Sequence, residues 1–198
     1  PTSLSPIFKV RDFGVGLSEE AVMTIYTSYG TSTKDKSNDF NGTFGLGSKS
    51  AFAYGNTFGI TSYYNGVKTL YTAYLDETNI GKIRKVYSEP TTEHNGVEIN
   101  VTIKTSDIIQ FVTTARNFYQ HFQPCPVFIN ADEHFTAHIE SVHNDKPVTQ
   151  GNGWSAFNRN RDSYNSVIVM GNVAYPISLD SIPNKSRMFD ILAYQRYS

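Results

Sequence analysis

The sequence predicts an α+β layer sandwich, and three observations carry that reading. Leucine is scarce, with 7 residues against 15 Ile, 14 Val, 13 Phe and 13 Tyr, and β-branched and aromatic side chains suit a pleated surface. Residues 57–103 alternate apolar and polar positions in a meander punctuated by Asn-Gly pairs. Two stripes with helical spacing, Val22/Ile25/Tyr26 and Ile108/Phe111/Val112/Ala115, add helices to that sheet.

Taken in order, Ile7 to Asp12 reads as a strand that stops at Gly14-Val15-Gly16. Ser18 is placed to cap a helix, with Glu19 and Glu20 in the first turn where the dipole favours acids, and Gly30 can end it. Thr31 to Asn41 has no periodicity and reads as a long loop of the kind that serves as a lid. Gly42 to Gly47 is a glycine-rich turn running into a short helix at Ser48–Ala53. The meander follows as Phe58–Tyr64, a type I′ turn at Asn65-Gly66, Val67–Leu75, Lys82–Tyr87 and, after Asn95-Gly96, Val97–Ile103. Ser106 is read as the cap of the second helix, and Pro126–Asn130 as a strand. His134–Glu140 reads as extended. Ser166–Met170 and Val173–Ile177 read as a hairpin joined at Gly171-Asn172, beyond a loop near Gly151-Asn152-Gly153. Residues 1–133 form one domain in this reading, and 134–198 an appended β-hairpin-rich element opening a second. The chain starts Pro1-Thr2-Ser3 and not with methionine, so we expect a piece of something longer.

Composition excludes several classes. With 17 Lys+Arg against 18 Asp+Glu, the net charge of −1 speaks against direct nucleic-acid binding by bulk phosphate neutralisation. A lone Cys125 excludes an internal disulfide framework and a cysteine-based zinc knuckle. No apolar run approaches the roughly 20 residues of a membrane helix, so no membrane span is expected. His134 and His138 are four apart, but on an extended stretch they share no helical face, and the five histidines read as surface residues, with no metal site. Trp154 and the tyrosines read as core and hairpin packing.

The glycines carry the chemistry. Gly42-Thr43-Phe44-Gly45-Leu46-Gly47-Ser48-Lys49-Ser50 nearly spells a P-loop but places Ser48 where the lysine must stand. Asp12-Phe13-Gly14 spells a kinase metal motif, yet the glycine loop follows it instead of preceding it, and no His-Arg-Asp exists. A third arrangement fits better: strand, Asp12-Phe13-Gly14-Val15-Gly16-Leu17, helix, loose loop, then a second glycine box opening a helix. An aspartate at a strand end can accept a hydrogen bond from the exocyclic amine of adenine, and neighbouring glycines let a flat base approach the backbone. Leu17 would wall the base. The second box would offer free N–H groups to phosphates, with Lys49 one turn in and Lys34 reaching from the loop to a γ-phosphate.

This order of boxes resembles the GHKL ATPases, the superfamily of gyrase-type topoisomerase subunits, heat-shock ninety chaperones, sensor histidine kinases and MutL. Gly96-Val97-Glu98-Ile99 stands where that family has a Gly-Thr strand. Val10–Gly14, Ser37-Asn38-Asp39-Phe40 and Gly45–Ser50 also look like the RIIA proteins of T-even-type bacteriophages, from about Phe8 to Asp76. The resemblance implies a Bergerat-type sandwich, a mixed and mostly antiparallel sheet with helices on one face. It implies ATP as ligand, with magnesium in the parent protein, and homodimerisation of that parent. The cytoplasm of an infected bacterium and a part in lysis control or phage exclusion are further implications. Carried over residue by residue, the binding set is Asp12, Gly14, Gly16, Leu17, Lys34, Gly42, Phe44, Gly45, Leu46, Gly47, Lys49, Ser50 and Val97. Two departures stand out. The family's first helix supplies a water-activating Glu and a magnesium-binding Asn, whereas the eleven residues before Asp12 contain neither. The family threonine of the late strand is Val97 here. We therefore expect no catalytic residue within the chain and nucleotide binding without turnover, with a non-catalytic interaction scaffold as the alternative.

Overall fold

The computed structural model describes residues 1–27, 47–130, 132–147, 149–151, 154–156, 166–170 and 172–177. The expected lid at Thr31–Asn41, with Lys34, and the box residues Gly42, Phe44, Gly45 and Leu46 lie outside them, as does Gly30. The chain forms two compact units, Pro1–Phe111 and Val112–Ser198, a division that falls before residue 133.

In the first unit β1 (Ile7–Arg11) leads to α1 (Glu19–Thr27), a 3-10 helix at Gly47–Ala53, and then β2 (Thr57–Tyr64), β3 (Val67–Leu75), β4 (Gly81–Pro90) and β5 (Gly96–Thr102). The strands form one sheet in the order β1-β5-β2-β3-β4, antiparallel at every pairing, so the α+β class holds. The β2–β3 turn has Asn65 at φ 50° and Gly66 at φ 76°, the positive pair a type I′ turn requires. Ser18 caps α1 as expected, its Oγ accepting from Ala21 N at 3.2 Å.

The core lies between α1 and one sheet face. Val22 and Tyr26 of α1 pack with Phe58, Ile60, Tyr71, Ala73, Val101 and Ile103, while Phe52 of the 3-10 helix stacks edge-on to Phe58 at 4.8 Å. Val22 and Ile60 are fully buried, each contributing about 1.5–3 kcal/mol. The other face carries ion pairs, Lys9–Glu98 at 3.9 Å and Lys68–Glu89 at 3.0 Å. Tyr54 latches the 3-10 helix to the chain beyond β5: its hydroxyl donates to Asp107 Oδ2 at 2.7 Å and accepts from Lys104 N at 2.8 Å.

α2 (Ile108–Tyr119) crosses from the first unit into the second. Ser106 does not cap it. A 3-10 turn at Thr105–Asp107 comes first, capped from Lys104 without a side-chain bond, and Ser106 Oγ instead bonds Asp107 Oδ1 at 2.8 Å.

Two expectations fail in the second unit. Pro126–Asn130 forms no strand: its Val127 and Ile129 are exposed and find no apolar face to pack on among the described residues, and Asn130 at φ 62° ends the segment in a turn. His134–Glu140 is not extended but lies within α3 (Glu133–His143). Asp132 caps that helix, accepting from Phe135 N at 2.7 Å, and Phe135, Ile139 and Val142 form its buried stripe. His134 and His138 therefore stand one turn apart, yet His138 Nε2 is bonded to Gln120 Oε1 at 2.9 Å. Among the described residues no three His, Cys, Asp or Glu gather as metal ligands. Two hairpins follow among the described residues of the unit: β6 (Thr149–Gly151) with β7 (Trp154–Ala156), and β8 (Ser166–Met170) with β9 (Val173–Ile177), the latter within the expected bounds.

Candidate functional site

β1 delivers Asp12 at its end. Pairing with β5 continues one step past the strand, Asp12 N donating to Val97 O at 2.9 Å. By alternation Asp12 follows Phe8 and Val10 on the sheet face that carries the core, and it is exposed there. Its Oδ1 accepts from Gly14 N at 2.8 Å and Val97 N at 3.3 Å, an aspartate turn that fixes the carboxylate on the backbone. Among the described residues Oδ2 has no hydrogen-bond partner. Tyr26 of α1 is close enough to feel that charge: burial first, and then Asp12, push its hydroxyl pKa up to about 12.

Gly16 and Gly96 allow a close approach of backbone to backbone. A Cβ on Gly16, at φ 75°, would sit 2.1 Å from Tyr63 O and 3.3 Å from Gly96 N. One on Gly96 would sit 2.0 Å from Asp12 O and 3.2 Å from Phe13 Cα. The space beside these two residues is filled by the protein's own backbone, so they let β2, β5 and the Asp12 loop close on one another. Gly14 differs. Its absent Cβ would meet only the Asp12 side chain, Oδ1 at 3.1 Å, which leaves its outer side clear.

Leu17 ends the loop, half-buried against the core. Its N–H donates to Ser62 Oγ at 3.1 Å, and its carbonyl accepts from the same hydroxyl at 2.6 Å. Val97 lies beside Asp12 as expected, but through its backbone; its side chain packs against the core.

Arg11 braces the loop from the opposite sheet face. Its guanidinium lies 3.9 Å from the Tyr63 ring centroid and 4.9 Å from that of Phe13, donates to Glu93 Oε2, and reaches His94 O at 3.2 Å. Burial opposes its charge, but the bond to Glu93 together with the nearby Tyr63, Glu93 and Glu98 raises the Arg11 pKa; the same bond lowers that of Glu93. A shallow hollow of about 670 Å³ opens here between Phe13-Gly14 and Thr92–Asn95, and Asp12 does not line it.

The structure thus brings together Asp12, Gly14, Gly16, Leu17 and Val97. Gly47, Lys49 and Ser50 lie in the Gly47–Ala53 segment, which is a 3-10 helix rather than an α-helix. Sequence reasoning missed Ser62, Arg11 and Tyr26. Ser62 had a signal: a serine on the apolar side of the Phe58/Ile60 alternation. Arg11 had none, because its partners lie 82 and 83 residues away.

No family model matches the chain, and no curated protein does. Among solved structures it is similar to the ATPase and transducer domains of DNA topoisomerase II from Balamuthia mandrillaris. That match has 17% identity and a TM-score of 0.47, over 71% of this chain and 43% of that one. It is also similar to the ATPase region of Saccharomyces cerevisiae topoisomerase II, at 14% identity over 59% of this chain and 36% of that one, TM-score 0.41. A second structure of the yeast region, bound to ICRF-187 (dexrazoxane), matches at 14% identity over 69% and 43%, TM-score 0.47. The chain spans less than half the length of each.

Proposed function

We propose that this chain binds ATP through the Asp12 loop, in the manner of a GHKL ATPase domain. The observation that carries the reading is the state of the carboxylate. Oδ1 is held by two backbone N–H groups while Oδ2 has no partner among the described residues, on an exposed residue with half-buried Leu17 at the end of the same loop. A carboxylate fixed in this way has little orientation left to lose when it accepts an adenine amine, and such a charge-assisted bond is worth about 1.5–3 kcal/mol. Gly42 to Gly47, Lys49 and Ser50 would receive the phosphates, with Lys34 answering the γ-phosphate. Magnesium is assigned no protein ligand, since no acidic or histidine cluster among the described residues would hold it.

On the strings quoted above, the finer reading is an RIIA-type phage protein acting in lysis control, whose parent would dimerise. A non-catalytic scaffold is the second reading. One observation favours it: Glu19, a carboxylate close in sequence to the loop, is tied to Lys85 at 2.6 Å and is not free to activate water. Titrating ATP against the melting temperature separates binding from scaffolding. At about a hundred times its dissociation constant a ligand stabilises by about 2.7 kcal/mol. A flat melting temperature at millimolar ATP overturns the nucleotide reading.

A further inference from the structure

The nucleotide reading leaves one buried polar side chain of the site without a part. Ser62 is 2% exposed, on a strand face otherwise built from Phe58 and Ile60. Its hydroxyl accepts from Leu17 N and donates to Leu17 O, so one side chain satisfies both backbone groups of a residue that belongs to no helix or strand. The Asp12 loop is consequently held at two ends by adjacent strands. Upstream, Asp12 is fixed on Val97 of β5; downstream, Leu17 is fixed on Ser62 of β2. Between them Gly16 lies against Tyr63 O with no room for a side chain, so the loop runs close along β2 from Asp12 to Leu17.

We infer that Ser62 is the positioning residue of the base site, a role that rests on the nucleotide reading: it fixes the Leu17 backbone so that the Leu17 side chain and the Asp12 carboxylate hold one separation. Ser62 touches no ligand in this account.

The test uses the full chain with Ser62→Ala and Ser62→Thr. It reads amide exchange by NMR without nucleotide, and ATP affinity by calorimetry well below the melting temperature. Ser62→Ala should speed exchange at Leu17 about tenfold or more, leave Ile60 and Val101 protected, and weaken ATP binding by about tenfold. Ser62→Thr, which keeps the hydroxyl, should restore both. If alanine proves too unstable, Ser62→Cys, similar in size with only a weak S–H donor, carries the same expectation. ATP affinity that survives loss of the hydroxyl, or unchanged Leu17 exchange, overturns the positioning role and leaves the nucleotide reading standing. A wild-type chain that binds no ATP overturns that reading and the role with it.

Discussion

Gly96→Ala should unfold the first unit at a much lower temperature. The added methyl would lie 2.0 Å from Asp12 O, 3.0 Å from Asp12 C and 3.2 Å from Phe13 Cα. All three are backbone atoms, so no rotamer change relieves the clash, and β5 and the end of β1 must part by about 1 Å or more. Overpacking of this kind costs about 1–3 kcal/mol. Holding a non-glycine residue at φ 151° adds about 1–3 kcal/mol. At roughly 4 °C per kcal/mol for a unit of this size, the melting temperature should fall by on the order of 10–20 °C. Two other glycines grade the effect. Gly66→Ala meets nothing nearer than Thr91 O at 3.8 Å and loses only the conformational term at φ 76°, about 1–2 kcal/mol. Gly55→Ala meets no atom within 4 Å and should change stability by less than about 1 kcal/mol. Thermal melts by circular dichroism at matched concentration give the ranking. A Gly96→Ala chain melting within about 3 °C of wild type, or a Gly55→Ala chain that loses as much, would refute the close backbone approach.

Three further outcomes are expected. Glu93 has its carboxyl pKa lowered by Arg11, so its stabilisation is present above the unfolded value of about 4.3 and lost as pH falls below that; urea melts should separate wild type from Glu93→Gln at pH 6 and not at pH 2. Tyr26, raised to about 12 by burial and then by Asp12, favours its neutral form in the fold; its contribution is complete below about pH 10 and lost between 10 and 12, a loss that Tyr26→Phe should remove from the stability profile. Asp132→Ala should cost α3 about 0.5–2 kcal/mol through the lost bond to Phe135 N, read as reduced protection of the Phe135 and Thr136 amides.

The sheet was legible because its signals are local. Alternation at Phe58–Tyr64 and Val67–Leu75 and the Asn65-Gly66 turn specify strands and register without knowledge of distant residues. α3 was missed for the opposite reason. In His134–Glu140 a short segment was read for alternation, whereas the stripe that decides it, Phe135/Ile139/Val142, runs past that window and starts from an aspartate cap. Asp12 was legible as a strand-end carboxylate. What Gly16 and Gly96 make room for was not, because the atoms that crowd them, Tyr63 O and Asp12 O, are brought close by tertiary pairing and leave no mark on sequence spacing. Arg11 shows the same limit: its place between the Phe13 and Tyr63 rings depends on β1 and β2 flanking β5.

On the proposed nucleotide reading, the Asp12 carboxylate selects adenine. Calorimetric titration of the wild-type chain and Asp12→Ala with ATP and with GTP tests it most directly. Guanine presents a carbonyl where adenine presents its amine, so Oδ2 would face another acceptor, and sites built to bond a given group reject analogues lacking it by as much as about 10⁴. Wild type should bind ATP well ahead of GTP, and Asp12→Ala should erase the difference by losing ATP affinity. Equal affinities for the two nucleotides in wild type, or a preference for ATP that persists in Asp12→Ala, would contradict that reading.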